Sequence, residues 1–296
     1  MLDAIGVVLA TIGNALYGVF WVITHPVQAF NFSDTEAIMR LIFYGASGEL
    51  LALVILVALG VFIAGMFRRE FLWGVVLTIE GISNGVGRFA AWAGLIMVLQ
   101  QIMVIFLQAI FRVSEISVSP VGLDFTKNLG WYGDGLKFYN GAVVCLCCAY
   151  TFVQRGHVRV DLFYASWGHR TKRIMDMLGT VFMMLPALSI MWLYGWFFMW
   201  RSLAIPPVNA TDTLDRLVLK ARAFRWNVET ISSSPSGFDA YFLFKVLLVV
   251  FCFTMILQAI GFFYRSFLEL REEETERGLD LDVLDPHDGV ATEGGH

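Results

Sequence analysis

Charge is what this chain has least of. Only 16% of its 296 residues are Asp, Glu, Lys or Arg, against about 25% in a soluble domain, which argues against a pair of soluble domains. The formal net charge of −4 offers nothing to nucleic acid, and much of the acid lies between Glu269 and Glu293, leaving the remainder near neutral. Cys145, Cys147, Cys148 and Cys252 sit inside apolar runs, without the Cys-x-x-Cys spacing or nearby histidines of a zinc site. They read as small buried hydrophobes. No Walker motif, Gly-x-Gly-x-x-Gly or Ser/His/Asp arrangement appears, so neither nucleotide drive nor enzymatic chemistry is expected. His25, His157, His169, His287 and His296 all fall outside the apolar runs or at their edges. That weakens the alternative reading, a membrane anchor or cytochrome-type subunit of a redox complex, because haem would want ligands within the spans. The first apolar run follows Asp3 and no basic residue, unlike a secretory leader, so a retained span is expected there. No cofactor is implied.

What the chain does have is apolar residues, 57% of the total, gathered into runs long enough to cross a hydrocarbon core of ~30 Å. The expectation is an all-α integral membrane protein with about six spans, at 4–24, 41–67, 89–111, 136–153, 174–200 and 241–264. Residues 71–86 have apolar positions at helical spacing, interrupted by Glu80, Ser83 and Asn84, which predicts an amphipathic helix lying in the interface. Residues 113–135 read as a loop, and 202–237 as a long polar connection carrying a surface helix over 213–228 that rests on the membrane or a partner. The organisation predicted is therefore a two-span extension (1–70), an interfacial helix (71–88), a four-span core (89–268) and an acidic, disordered tail (269–296). Basic residues near the span ends put Arg68, Arg69, Arg88, Arg155, Arg159, Arg170, Lys172, Arg173, Arg265 and Arg271 on one side. The positive-inside tendency then predicts both termini in the cytoplasm.

Several polar residues invite a role. In His157-Val158-Arg159-Val160-Asp161 the three polar side chains would share one side of an extended segment; fixing the hairpin between two spans is the favoured reading, a partner contact the other. Asp176 follows Arg173 by three residues at a helix start, where an acid complements the dipole. Gln101 and Gln108, seven apart, would pack against a neighbouring helix. Lys245 would snorkel, or pair with Asp239, Asp134 or a partner's acid. No acid is expected deep within a span.

Residues 87–270 resemble the small permease subunit of TRAP transporters, the tripartite ATP-independent periplasmic systems (DctQ type). The likeness rests on Ala149, Tyr150 and Thr151 closing one span, then 156–164 with His157, Arg159 and Asp161. Arg173, Asp176 and Gly179 open the next span, which passes Leu185 and Pro186 to a Trp-rich exit at Trp200, Arg201 and Ser202. Phe244, Lys245 and Gln258 of the last run, and the stretch from Gly87 to Trp92, complete it. Where the family has a glutamate opening its second span, this chain has Asp134, with Trp131 and Tyr139 near it. The resemblance implies a subunit of a bacterial inner-membrane symporter without a substrate site of its own. It would scaffold a large permease (DctM type), which a periplasmic solute-binding protein (DctP type) supplies with an organic solute, often a carboxylate. Membrane lipid would be its other neighbour.

Overall fold

A computed structural model describes residues 2–25, 34–113, 115–118, 125–153, 167–230 and 237–271. About 82% of it is helical. Five helices are long and apolar enough to cross a membrane: Gly48–Phe67, Arg69–Ala109, Leu129–Val153, Arg170–Leu203 and Phe242–Arg271. The protein is thus multi-pass and membrane-embedded by helix length and composition. The run at 4–24 forms α1 (Leu2–Thr24), whose apolar stretch Ala10–Val22 is shorter than those five.

The run at 41–67 is two helices, not one. Asp34 caps α2 (Thr35–Gly45) by accepting the Glu36 N–H at 3.0 Å, and Ser47 caps α3 (Gly48–Phe67) by accepting the Leu50 N–H at 3.2 Å. A serine between glycines ends one helix and starts the next despite apolar flanks, because its hydroxyl replaces a missing backbone partner. The last carbonyls of α2 are satisfied from outside: the Trp196 indole donates to the Ile42 carbonyl at 2.9 Å and Trp192 to the Gly45 carbonyl at 2.8 Å. The aromatic exit at Trp192, Trp196 and Trp200 therefore holds a neighbouring helix.

The predicted break near residue 87 is absent. α4 runs unbroken from Arg69 to Ala109, 41 residues, or about 60 Å. Even tilted by about 40° it exceeds the ~30 Å hydrocarbon core, so part of it stands in the headgroup zone or beyond. Its buried face descends through Leu72, Val76, Glu80, Ser83, Gly87 and Ala90, spaced at three or four residues. Glu80 and Ser83, which look like a solvent face in the sequence, belong to the packed one.

The expected loop at 113–135 holds an antiparallel hairpin, β1 (Glu115–Val118) with β2 (Phe125–Asn128), and α5 begins at Leu129 and runs to Val153. After α6 (His169–Gly179) the helix widens to a π turn over Thr180–Met184, with the Leu185 N–H reaching back to the Thr180 carbonyl, before α7 (Leu185–Leu203). Pro186 has no N–H and crowds the carbonyl four residues earlier, and a wider turn just ahead of it relieves both. The long connection folds into β3 (Ala204–Ile205), α8 (Leu214–Ala221) and β4 (Arg225–Trp226). Leu217 and Ala221 of α8 pack with Ile38, Met39 and Ile42 of α2 and with Met199 and Trp200 of α7, so the surface helix rests on this chain itself.

The last helix, α9 (Phe242–Arg271), is the axis of the bundle. It meets α4 where Gly261 faces Ile79, α7 where Gly195 faces Leu248, and α5 where Gly141 faces Phe244. α4 and α7 run antiparallel to α9. The front of the chain is built into the same packing: Ala58, Val61 and Phe62 of α3 join Leu72, Trp73, Val76, Tyr264 and Leu268 in one core, and the Tyr264 hydroxyl donates to the Ala58 carbonyl at 2.7 Å.

Candidate functional site

His157, Arg159 and Asp161 lie outside the described residues. The other sequence candidates are placed, and they divide between the two ends of the bundle.

At the end where α6 begins and α9 finishes, charges are buried together. The Arg265 guanidinium binds Glu80 of α4 at 3.0 Å and Glu269, one turn on, at 2.8 Å. Arg173 of α6 binds Glu269 from the other side and approaches Asp176 at 3.6 Å. These five side chains are 6–14% exposed. Two expectations change here. Glu269 is not the start of a disordered tail but part of a buried network near the end of α9. Asp176 is not the N-cap of α6, which is Gly168, and it lies further into the helix beside Arg173. Nearby, the buried Gln258 accepts the Ser83 hydroxyl at 3.0 Å. An ionic and a neutral polar pair thus tie α9 to α4 and α6 where the apolar residues thin out. Once desolvated, such charges hold the geometry because each alternative leaves one of them unpaired.

At the other end Lys245 binds Glu229 of the long connection at 2.6 Å and lies 4.4 Å from the Phe198 ring centre. Its partner is therefore neither Asp239 nor Asp134. Asp134 forms a local pair with Lys137 at 2.8 Å. Asp239 has the more telling position, accepting from the Trp131 indole at 2.6 Å and from Lys127 at 2.9 Å. It joins the hairpin and the start of α5 to the approach to α9. The indole hydrogen bond first, then the ammonium, hold its carboxyl below the ordinary carboxylate range, against the opposing effect of burial. Burial likewise works to raise Asp212, but the Lys220 ammonium at 2.6 Å and the Asn209 N–H outweigh it.

The sign for Asp239 is fixed by that lowering. A carboxyl whose folded pKa lies below its unfolded value adds stability above the unfolded value and loses it as pH falls through the folded one. Asp239→Asn is expected to flatten the acid limb of the thermal unfolding midpoint between about pH 5 and about pH 3. The same slope in wild type and variant would remove Asp239 from that account.

Gln101 and Gln108 are exposed, so the predicted packing of these amides within the chain is not found. Gln100 is the amide that bonds, donating to the Tyr132 carbonyl at 2.7 Å. All four cysteines are free thiols, and Cys147 lies 3.7 Å from the Gly87 carbonyl. Among the described residues no group of three or more His, Cys, Asp or Glu could hold a metal ion. Sequence reasoning missed the network of Glu80, Arg265 and Glu269, and named Asp239 only as a candidate partner of Lys245. The only local signal was the four-residue spacing of Arg265 and Glu269, which any solvated helix face could show.

No family model matches the chain, and no curated protein or solved structure does.

Proposed function

We propose that this protein is the small membrane subunit of a TRAP-type secondary transporter, a fixed scaffold for a larger permease that carries out ion-driven uptake of an organic solute. One observation carries the reading. The described residues that resemble the family's motif spend their polar groups inside the chain: Lys245 on Glu229, Gln258 on Ser83, Asp176 on Arg173 and Asp134 on Lys137. The two that join different elements, Lys245–Glu229 and Gln258–Ser83, stiffen a bundle, which is what a stationary element needs when a partner moves against it. The basic residues Arg68, Arg69, Arg173, Arg265 and Arg271 gather at the end of the bundle where α3 finishes and α4 begins. On the positive-inside tendency that end faces the cytoplasm of a bacterial inner membrane, with both termini on that side.

Affinity purification of the full chain in mild detergent is expected to bring down a much larger, many-span protein. The chain reconstituted alone in liposomes is expected to carry none of a panel of labelled small carboxylates. Carboxylate flux by the isolated chain would overturn the proposal, and so would purification without any large membrane partner.

A further inference from the structure

We propose that Arg201 and Arg225 form a cradle for the phosphate of an anionic phospholipid at the exit of α7. The outward face of α7 steps through Ile190, Tyr194 and Phe198, which are 55%, 69% and 51% exposed. Half or more of each is open to the surroundings, with Lys245 over one side of the Phe198 ring, so in a membrane their open faces meet acyl chains. Arg201 follows on the same face, one turn beyond Phe198, and is exposed. There the chain turns back on itself. Ile205 pairs with Arg225 across β3 and β4, the Leu203 carbonyl accepts from the Asn227 N–H at 3.1 Å, and the Ser202 carbonyl from the Glu229 N–H at 2.8 Å. This pairing brings Arg225 and Trp226 alongside the end of α7, with Trp226 60% exposed.

Neither arginine has an ion pair among the described residues. Of the acids nearest in the chain, Glu229 is held by Lys245 and Asp212 by Lys220, and Asp215 pairs with neither arginine. Two uncompensated guanidiniums therefore stand where an acyl-facing stripe ends, beside an indole of the kind that settles at headgroup depth. A guanidinium's planar fork fits phosphate oxygens. An anionic protein would also suit the charge, but the continuity with the lipid-facing stripe favours a headgroup. Lys245 over the Phe198 ring marks the same depth.

The test is native mass spectrometry of the full chain in detergent, titrated with phosphatidylglycerol or phosphatidylcholine vesicle lipid. Wild type is expected to retain phosphatidylglycerol about tenfold better than phosphatidylcholine. Arg201→Gln/Arg225→Gln is expected to lose that preference while keeping the lipid-free thermal midpoint, and each single variant to lose part of it. The single variants decide the matter if the double variant does not fold. Equal retention of the two lipids by wild type would overturn the proposal, as would an undiminished preference in all the variants. Loss of a co-purifying acidic protein from the double variant, with its lipid preference unchanged, would assign the two arginines to that protein and overturn the proposal too.

Discussion

Arg265→Met is expected to destabilise the bundle by about 3–5 kcal/mol, the range for breaking a buried ion pair by removing one member. The guanidinium binds two carboxylates, Glu80 at 3.0 Å and Glu269 at 2.8 Å, and all three side chains are 6–8% exposed. Removing it leaves Arg173 on Glu269 and takes from Glu80 the guanidinium that reaches it from α9. A surface pair broken in the same way would cost at most about 1 kcal/mol, so the size of the effect separates a buried lock from solvated charge. Glu80→Leu/Arg265→Met removes both members of the pair and leaves the Arg173–Glu269 contact in place. It is expected to recover much of the loss, since apolar replacement of a buried pair is often neutral. The measurement is the thermal unfolding midpoint in detergent of wild type, single and double variants. A single variant within about 1 kcal/mol of wild type, or a double variant no better than the single, would show that the network does not behave as a desolvated lock.

The long apolar helices were legible because hydrocarbon thickness sets their length, and that constraint acts on every residue of a run. The fourth to sixth predicted spans lie within α5, α6–α7 and α9 for this reason. The polar residues were harder, since their meaning depends on what faces them. Glu80 looks like a break in an apolar face until Arg265 is placed opposite it, 185 residues away in the chain. Ser83 and Gln258, 175 apart, have the same history. Arg265 was counted among the charges that set orientation, and Glu269 as the first residue of an acidic tail. The tail reading of Glu269 fails once α6 and α9 are brought together, while Arg265 gains a place in the same buried network. Division of the run at 41–67 was missed because Ser47 is a single polar residue, and its force comes from backbone geometry rather than hydropathy. Lys245 reads from the sequence as snorkelling or as pairing with Asp239, Asp134 or a partner's acid, and Glu229 comes to it only through the β3–β4 pairing that folds the connection back.

Two glycines on one helix give the second large effect, because they differ only in the room behind them. A methyl added at Gly87 would stand 2.4 Å from the Tyr150 Cβ, an atom fixed to the backbone of α5 that no rotamer change can move. At Gly94, two turns on and facing the same helix, the nearest atom would be the Val143 Cγ2 at 3.8 Å, an ordinary contact. Gly87→Ala must therefore separate α4 from α5, and overpacking of this kind costs about 1–3 kcal/mol. Gly94→Ala separates nothing and adds helix propensity of about 1 kcal/mol in favour of the folded state. Opposite signs are expected from the same chemical change, with the Gly87 variant unfolding at lower temperature than wild type and the Gly94 variant at the same temperature or higher. The close approach at Gly87 also puts its carbonyl within 3.7 Å of the Cys147 thiol, so accessibility of Cys147 to a small maleimide in detergent reports the gap directly. Faster labelling is expected in Gly87→Ala and not in Gly94→Ala. Equal midpoints and equal labelling in the two variants would mean that α4 and α5 do not meet as closely as 2.4 Å implies, and the antiparallel packing that orders the rest of the bundle would lose its anchor.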